Sequence, residues 1–133
     1  MKQFWIYISS FFILMSCSSK EEAYEPVSYN LKIPELFSDK LIAPILPANN
    51  PLTEEGVALG KKLFFDKILS GNGTQSCATC HNPQKAFTDN LQFSSGIDGI
   101  KGSRNAMPLF NLAWNFDEKF TWNGQDFTIE NQA

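Results

Sequence analysis

This 133-residue chain has one histidine, and only three cysteines. It also lacks a basic stripe: its 11 Lys and Arg are dispersed singly apart from the pair Lys61-Lys62, and the formal charge is −3. Nucleic-acid binding is therefore excluded as a leading role, because nothing lines up to neutralise a phosphate backbone. No apolar run is long enough to cross a bilayer as a helix; the stretch from Phe4 to Met15 is too short. Nor is there the strict polar–apolar alternation of a strong sheet. What remains is 43% hydrophobic content with 12 Phe and 3 Trp, enough for one globular domain.

The N-terminus reads as an export signal over residues 1–16, with Lys2 ahead of the apolar run. It ends in Leu14-Met15-Ser16-Cys17, which resembles a bacterial lipobox. Cys17 is then the expected lipidation site, with acyl chains holding the protein to a membrane. The expected location is the cell envelope, on the periplasmic side or at the outer membrane. Residues 17–49 follow as a Ser/Lys/Glu-rich tether and an extended lead-in punctuated by Pro26, Pro34, Pro44 and Pro47. Leu31, Ile33, Leu36, Phe37, Ile42, Ile45 and Leu46 are its candidates for contact with the domain.

The domain proper is expected over residues 50–133. Pro51 closes the extended segment, Thr53 caps a helix, Glu54 and Glu55 suit its positive N-terminus, and Lys61 and Lys62 suit its other end. Gly60 reads as a notch for close packing. A glycine-containing loop, "FDKILSGNGTQS", precedes the cysteines; "NPQKAFTDN" and "SSGIDGIKGSRNAMP" after them are rich in turn-formers. One further apolar helix is expected over Pro108 to Asn115. The fold class is mostly α, and its long loops need a large body to wrap around.

That body is suggested by "SCATCHNPQKAF". Zinc wants four ligands, and only Cys77, Cys80 and His81 are on offer as soft ones. A thioredoxin-like pair wants a strand and a βαβ unit, which are not found here. Covalent haem gives every residue a task. On one helical turn Cys77 and Cys80 project to the same side, each able to add to a porphyrin vinyl group, and His81 follows as the iron ligand. Attachment also keeps the thiols from oxidation in an exporting compartment. Met107 is the only methionine after the signal and the only side chain of the usual type to close the sixth iron position.

With the haem motif placed, the flanks "NPLTEEGVALGKKLFFDKILSGNGTQSCATCHNPQKAFTDN", "GIDGIKGSRNAMPLFNLAWN", "FTWNGQ" and "ENQA" resemble the N-terminal haem domain of the bacterial di-haem cytochrome c peroxidases, a family that includes the MauG-like oxidases. The resemblance implies a cytochrome c-like haem domain, two c-type haems in the full protein, one of them in this chain, and reduction of hydrogen peroxide to water. It also implies a small cytochrome c or cupredoxin as electron donor and a homodimer. Residue by residue, Cys77 and Cys80 would hold the peroxidatic haem with His81 proximal. Asn105 matches an asparagine that helps bind calcium, and Trp122 matches a tryptophan placed between the haems for electron transfer. Some members carry an iron-ligating histidine in the loop corresponding to "SSGIDGIKG"; this chain has none there, which by resemblance puts it with members needing no reductive unlatching. The family pattern also continues past Ala133, so the haem domain is expected to be incomplete at its C-terminus. Asp98 is the loop carboxylate considered for the distal side, with an ordinary turn role as the competing reading. The alternatives are a mono-haem electron-transfer cytochrome closed by Met107, and a MauG-like oxidase.

Overall fold

The computed structural model describes residues 23–44, 46–117, 119–125 and 128–132. The export signal, Cys17 and the start of the tether lie outside the described residues. Regular structure among those described is helical: α1 (Glu35–Ser38), α2 (Glu54–Phe65), α3 (Cys77–Cys80) and α4 (Ile129–Gln132), with short 3-10 turns at Pro83–Lys85, Ile97–Gly99 and Leu112–Trp114. Long loops connect them, as the sequence leads one to expect for a mostly α domain. None of these helices is long and apolar enough to cross a membrane.

Helix α2 begins where capping chemistry puts it. Thr53 is extended (φ −126°, ψ 155°) and its hydroxyl accepts from the Gly56 N–H at 3.0 Å, satisfying one of the helix's free donors. Glu54 and Glu55 occupy the first turn and Lys62 the last, complementing the helix dipole. The lead-in docks at this same end: Tyr29 N–H donates to Leu52 O at 3.0 Å and Glu54 N–H to Val27 O at 2.8 Å.

The lead-in is more structured than its prolines suggest. Pro34 stands just before α1, where its fixed φ suits a helix start and its missing N–H costs nothing. Phe37 then meets Trp114 edge-on, ring centroids 5.0 Å apart, and the Trp114 indole N–H donates to Ile42 O at 3.1 Å. Leu31, Ile33 and Phe37 are half-buried, as expected of surface contacts, whereas Leu36, Ile42 and Leu46 stay exposed; Ile45 is outside the described residues.

One sequence expectation is corrected. The helix anticipated over residues 108–115 is only the 3-10 turn Leu112–Trp114, because Asn111 sits in the left-handed region (φ 54°) and breaks any helical run from Pro108. Among the described residues nothing lies within 4 Å of where a Gly60 Cβ would stand, so no described residue packs into that notch.

Among the described residues no hydrophobic side chain is fully buried; Val57, Leu63, Phe64 and Phe87 are half-buried, and Phe64 packs against Phe87 with centroids 6.3 Å apart. Much apolar surface thus has no partner within the described chain, well beyond scattered exposure. Thr53→Ala should lower unfolding stability by about 1 kcal/mol, with Thr53→Ser close to wild type, measured by denaturant unfolding of the whole protein.

Candidate haem site

The turn α3 is built from Ser76 to His81. Thr79 N–H donates to Ser76 O and His81 N–H to Cys77 O, at 3.0 and 2.9 Å, while the Thr79 hydroxyl accepts from Ser76 N–H at 3.0 Å. That reciprocal bonding brings Cys77, Cys80 and His81 together on one turn. Both thiols are free; Cys77 is exposed and Cys80 half-buried, 4.0 Å from Ser95 O. His81 ends the turn with non-helical backbone (φ −113°, ψ 63°), which releases its ring from the helix surface.

His81 Nδ1 lies 3.1 Å from Phe87 O. With a carbonyl as its partner, Nδ1 must carry the hydrogen, so Nε2 is left with its lone pair available to a metal. The residues therefore fit a c-type haem: two free thiols three residues apart on one turn, and an adjacent imidazole whose tautomer is fixed for ligation. A zinc reading gains nothing, since no three His, Cys, Asp or Glu side chains gather as a metal cluster among the described residues.

Asp89 escaped the sequence reading. At 6% exposure it is the one buried side chain among the described residues. Its Oδ1 accepts from Leu91 N–H at 3.0 Å. Asp89 Oδ2 and Ser94 Oγ are both buried without a well-aligned partner. Burial pushes the Asp89 carboxyl up, but the loose approach of the Ser94 hydroxyl, the backbone N–H donors of Leu91 and Asp89, and nearby Lys85 together hold it below the ordinary carboxylate range. Burial, then the Asp89 charge, then Cys77 raise the Cys80 thiol, which keeps it protonated and slows disulfide formation. Only "FTD" in a turn-rich stretch hinted at this residue, and nothing in it foretold burial.

The loop "SSGIDGIKG" is a tight hairpin. Ser94 N–H donates to Arg104 O, Gly102 N–H to Ser94 O and Gly96 N–H to Ile100 O, at 3.1, 2.8 and 2.6 Å. Asp98 and Gly99 both have positive φ (58° and 73°), as the two central residues of a type I′ turn require. The Asp98 carboxylate accepts from the Asn72 side-chain amide at 2.9 Å, and the Gln75 amide donates to Ser95 O at 2.9 Å. Asp98 is thus a turn residue that pins this hairpin to the loop before α3.

Asn105 and Trp122 also meet: the Trp122 indole N–H donates to Asn105 O at 3.0 Å. Both are exposed, Trp122 by 51%. Met107 is half-buried between them in sequence. An apolar cavity of about 340 Å³ lies elsewhere, between Leu46, Leu52, Leu112, Phe116, Phe120 and Ile129, and takes in none of the cysteine turn.

Helical structure with long loops, around a Cys-x-x-Cys-His turn, defines a cytochrome-like class of domain. A profile of the family described as di-haem cytochrome c peroxidase matches residues 54–133, and the chain belongs to that family. It is 47% identical over 87 residues to the methylamine utilization protein MauG of Methylorubrum extorquens, covering 65% of this chain and 24% of that protein. It is 40% identical over 83 residues to the cytochrome c551 peroxidase of Pseudomonas aeruginosa, covering 62% and 23%. A crystal structure of a MauG-like protein associated with microbial copper homeostasis superposes with TM-score 0.68 at 41% identity, over 79% of this chain and 31% of that one. The chain spans about a quarter of the length of these curated relatives.

The Asp89 carboxyl has a folded-state pKa below its unfolded value, so its contribution to stability is complete above about pH 4, the ordinary Asp range, and fades as pH falls through the lower folded value. Asp89→Asn should flatten that acid limb of a melting-temperature profile taken from pH 7 to pH 3. Asp89→Ala, which strands Leu91 N–H, should cost roughly 1–3 kcal/mol at pH 7.

Proposed function

We propose that this chain carries the peroxidatic haem of a di-haem cytochrome c peroxidase, with Cys77 and Cys80 as thioether attachments and His81 as axial ligand. The observation that carries the reading is the His81 ring: its Nδ1 is held by Phe87 O at 3.1 Å, leaving Nε2 for iron beside two free thiols. Family membership and the relatives named cytochrome c peroxidase support it.

A haem iron bound there supplies the redox centre at which peroxide's O–O bond is cleaved. Overall, hydrogen peroxide takes up two electrons and two protons to give two waters; the electrons come from a small cytochrome c or cupredoxin. The chain's own residues set the conditions. The Phe87 carbonyl, by accepting the Nδ1 hydrogen, makes His81 a more electron-rich ligand, which favours the oxidised side of the couple. The Asn72–Asp98 and Gln75–Ser95 bonds fix the hairpin 94–104 against the loop before the cysteines. Since no histidine stands in that hairpin, it has no side chain of that type to latch onto the iron. Trp122, exposed and anchored on Asn105 O, is suited to pass electrons toward a second haem domain, and Asn105 is suited to a calcium ion between domains. Cys17 would hold the assembly to the membrane by lipid, in the cell envelope, as a dimer.

The second reading is a MauG-like oxidase acting on protein side chains or organic substrates; the 47% identity to MauG favours it. The full-length haem-loaded protein, given peroxide and a reduced small cytochrome, should oxidise that donor with a stoichiometry of two electrons per peroxide. Its ferric form should bind cyanide. Cys77→Ala with Cys80→Ala should yield protein without covalent haem. Ferric protein that takes up haem yet binds neither cyanide nor peroxide would exclude the peroxidase; reaction with peroxide without donor turnover would favour the oxidase.

A further inference from the structure

Segment 82–88 is a closed turn. Phe87 N–H and Lys85 N–H both donate to Asn82 O, at 2.8 and 2.9 Å, Thr88 N–H to Lys85 O at 3.2 Å and Asn82 N–H to Thr88 O at 3.3 Å. The Asn82 side chain caps it by accepting from Gln84 N–H at 2.8 Å, and Pro83 presets the backbone of its first residue.

Two consecutive non-glycine residues in this turn, Ala86 and Phe87, lie in the left-handed region, at φ 54° and 59°. Each such residue costs on the order of 1 kcal/mol or more, and strain of this kind persists only where the surroundings over-determine it. All the bonds above are internal to the turn. Besides the His81 contact, the turn is tied to another part of the fold by Thr88, whose hydroxyl donates to Ala106 O at 2.8 Å in a half-buried setting. Nearby, Lys85 Nζ reaches Asp89 O at 3.2 Å. What the strained backbone achieves is the aim of one carbonyl: Phe87 O points at His81 Nδ1.

We propose that Thr88 is a positioning residue for the iron ligand: its bond to Ala106 O locks the strained turn in the form that offers the Phe87 carbonyl to His81, and so sets how strongly the imidazole donates. The proposal rests on the reading of His81 as axial ligand. A well-aligned Nδ1–H···O bond gives the ring more imidazolate character, which strengthens the iron–histidine bond and lowers the reduction potential. Loosening the turn weakens that bond and shifts both quantities the other way.

The test uses the full-length, haem-loaded protein and two readouts: the iron–histidine stretch of the ferrous form by resonance Raman, and the reduction potential by spectroelectrochemical titration. Thr88→Val, which keeps shape and removes the donor, should move the stretch to lower frequency and the potential upward. Thr88→Ser, which keeps the hydroxyl, should return both toward wild type. If Thr88→Val takes up no haem, Thr88→Ala is measured in its place under the same criteria. A variant that melts earlier but keeps the wild-type stretch and potential overturns the positioning role and leaves the axial-ligand reading standing. A His81→Gly protein that keeps the wild-type stretch and potential overturns the axial-ligand reading, and this proposal with it.

Discussion

A four-residue helix cannot hold itself together in water, because nucleating a first turn fixes several residues for very few hydrogen bonds. The turn Cys77–Cys80 therefore depends on its surroundings, and the bond between His81 Nδ1 and Phe87 O is the joint between turn and surroundings. On one side α3 packs against α2, whose start is fixed by Thr53. On the other side the strained turn 82–88 follows directly, and the hairpin 94–104 is clamped by Asn72 and Gln75 to the loop that leads into the cysteines. Chemistry-bearing side chains and the elements that aim them are contiguous in sequence, which is why so short a stretch can define a site.

The rest of the chain makes sense as a shell around something it does not itself contain. Among the described residues the apolar side chains are half-buried at best, while the one buried side chain is a carboxylate, Asp89. A domain closed by hydrophobic packing alone would show the reverse. On the proposed function, a covalently held porphyrin would supply a large apolar body, and a second domain would supply a face for exposed aromatics such as Trp122. The meeting of Trp122 with Asn105, residues read separately from the family resemblance, puts both at one exposed place.

How much of this was legible in the sequence depended on how local the causes are. Helix α2 was readable because Pro51, Thr53, Glu54 and Glu55 act within one turn, and the cysteine turn because spacing alone puts Cys77 and Cys80 on one side. The family resemblance rested on motifs and is borne out by the match over residues 54–133. Helix α1 was hidden among prolines, and its contact with Trp114 spans a separation no periodicity reveals. The missing helix at 108–115 failed on one left-handed residue, Asn111, a conformation that asparagine tolerates but does not advertise. Asp98-Gly99 did carry a type I′ signal, masked because the flanking residues do not alternate. Asp89 and Thr88 could not be read at all: burial and a hydroxyl bond to a carbonyl 18 residues away are tertiary facts.

The central claim is that Cys77 and Cys80 carry haem. The most direct measurement is peptide mass spectrometry of the protein isolated from its native cells, on the tryptic peptide from Ile68 to Lys85, which contains both cysteines and His81. The account predicts that this peptide bears one haem through two thioether bonds. Recovery of the same peptide with two free thiols, or with Cys77 and Cys80 joined as a disulfide, would contradict it.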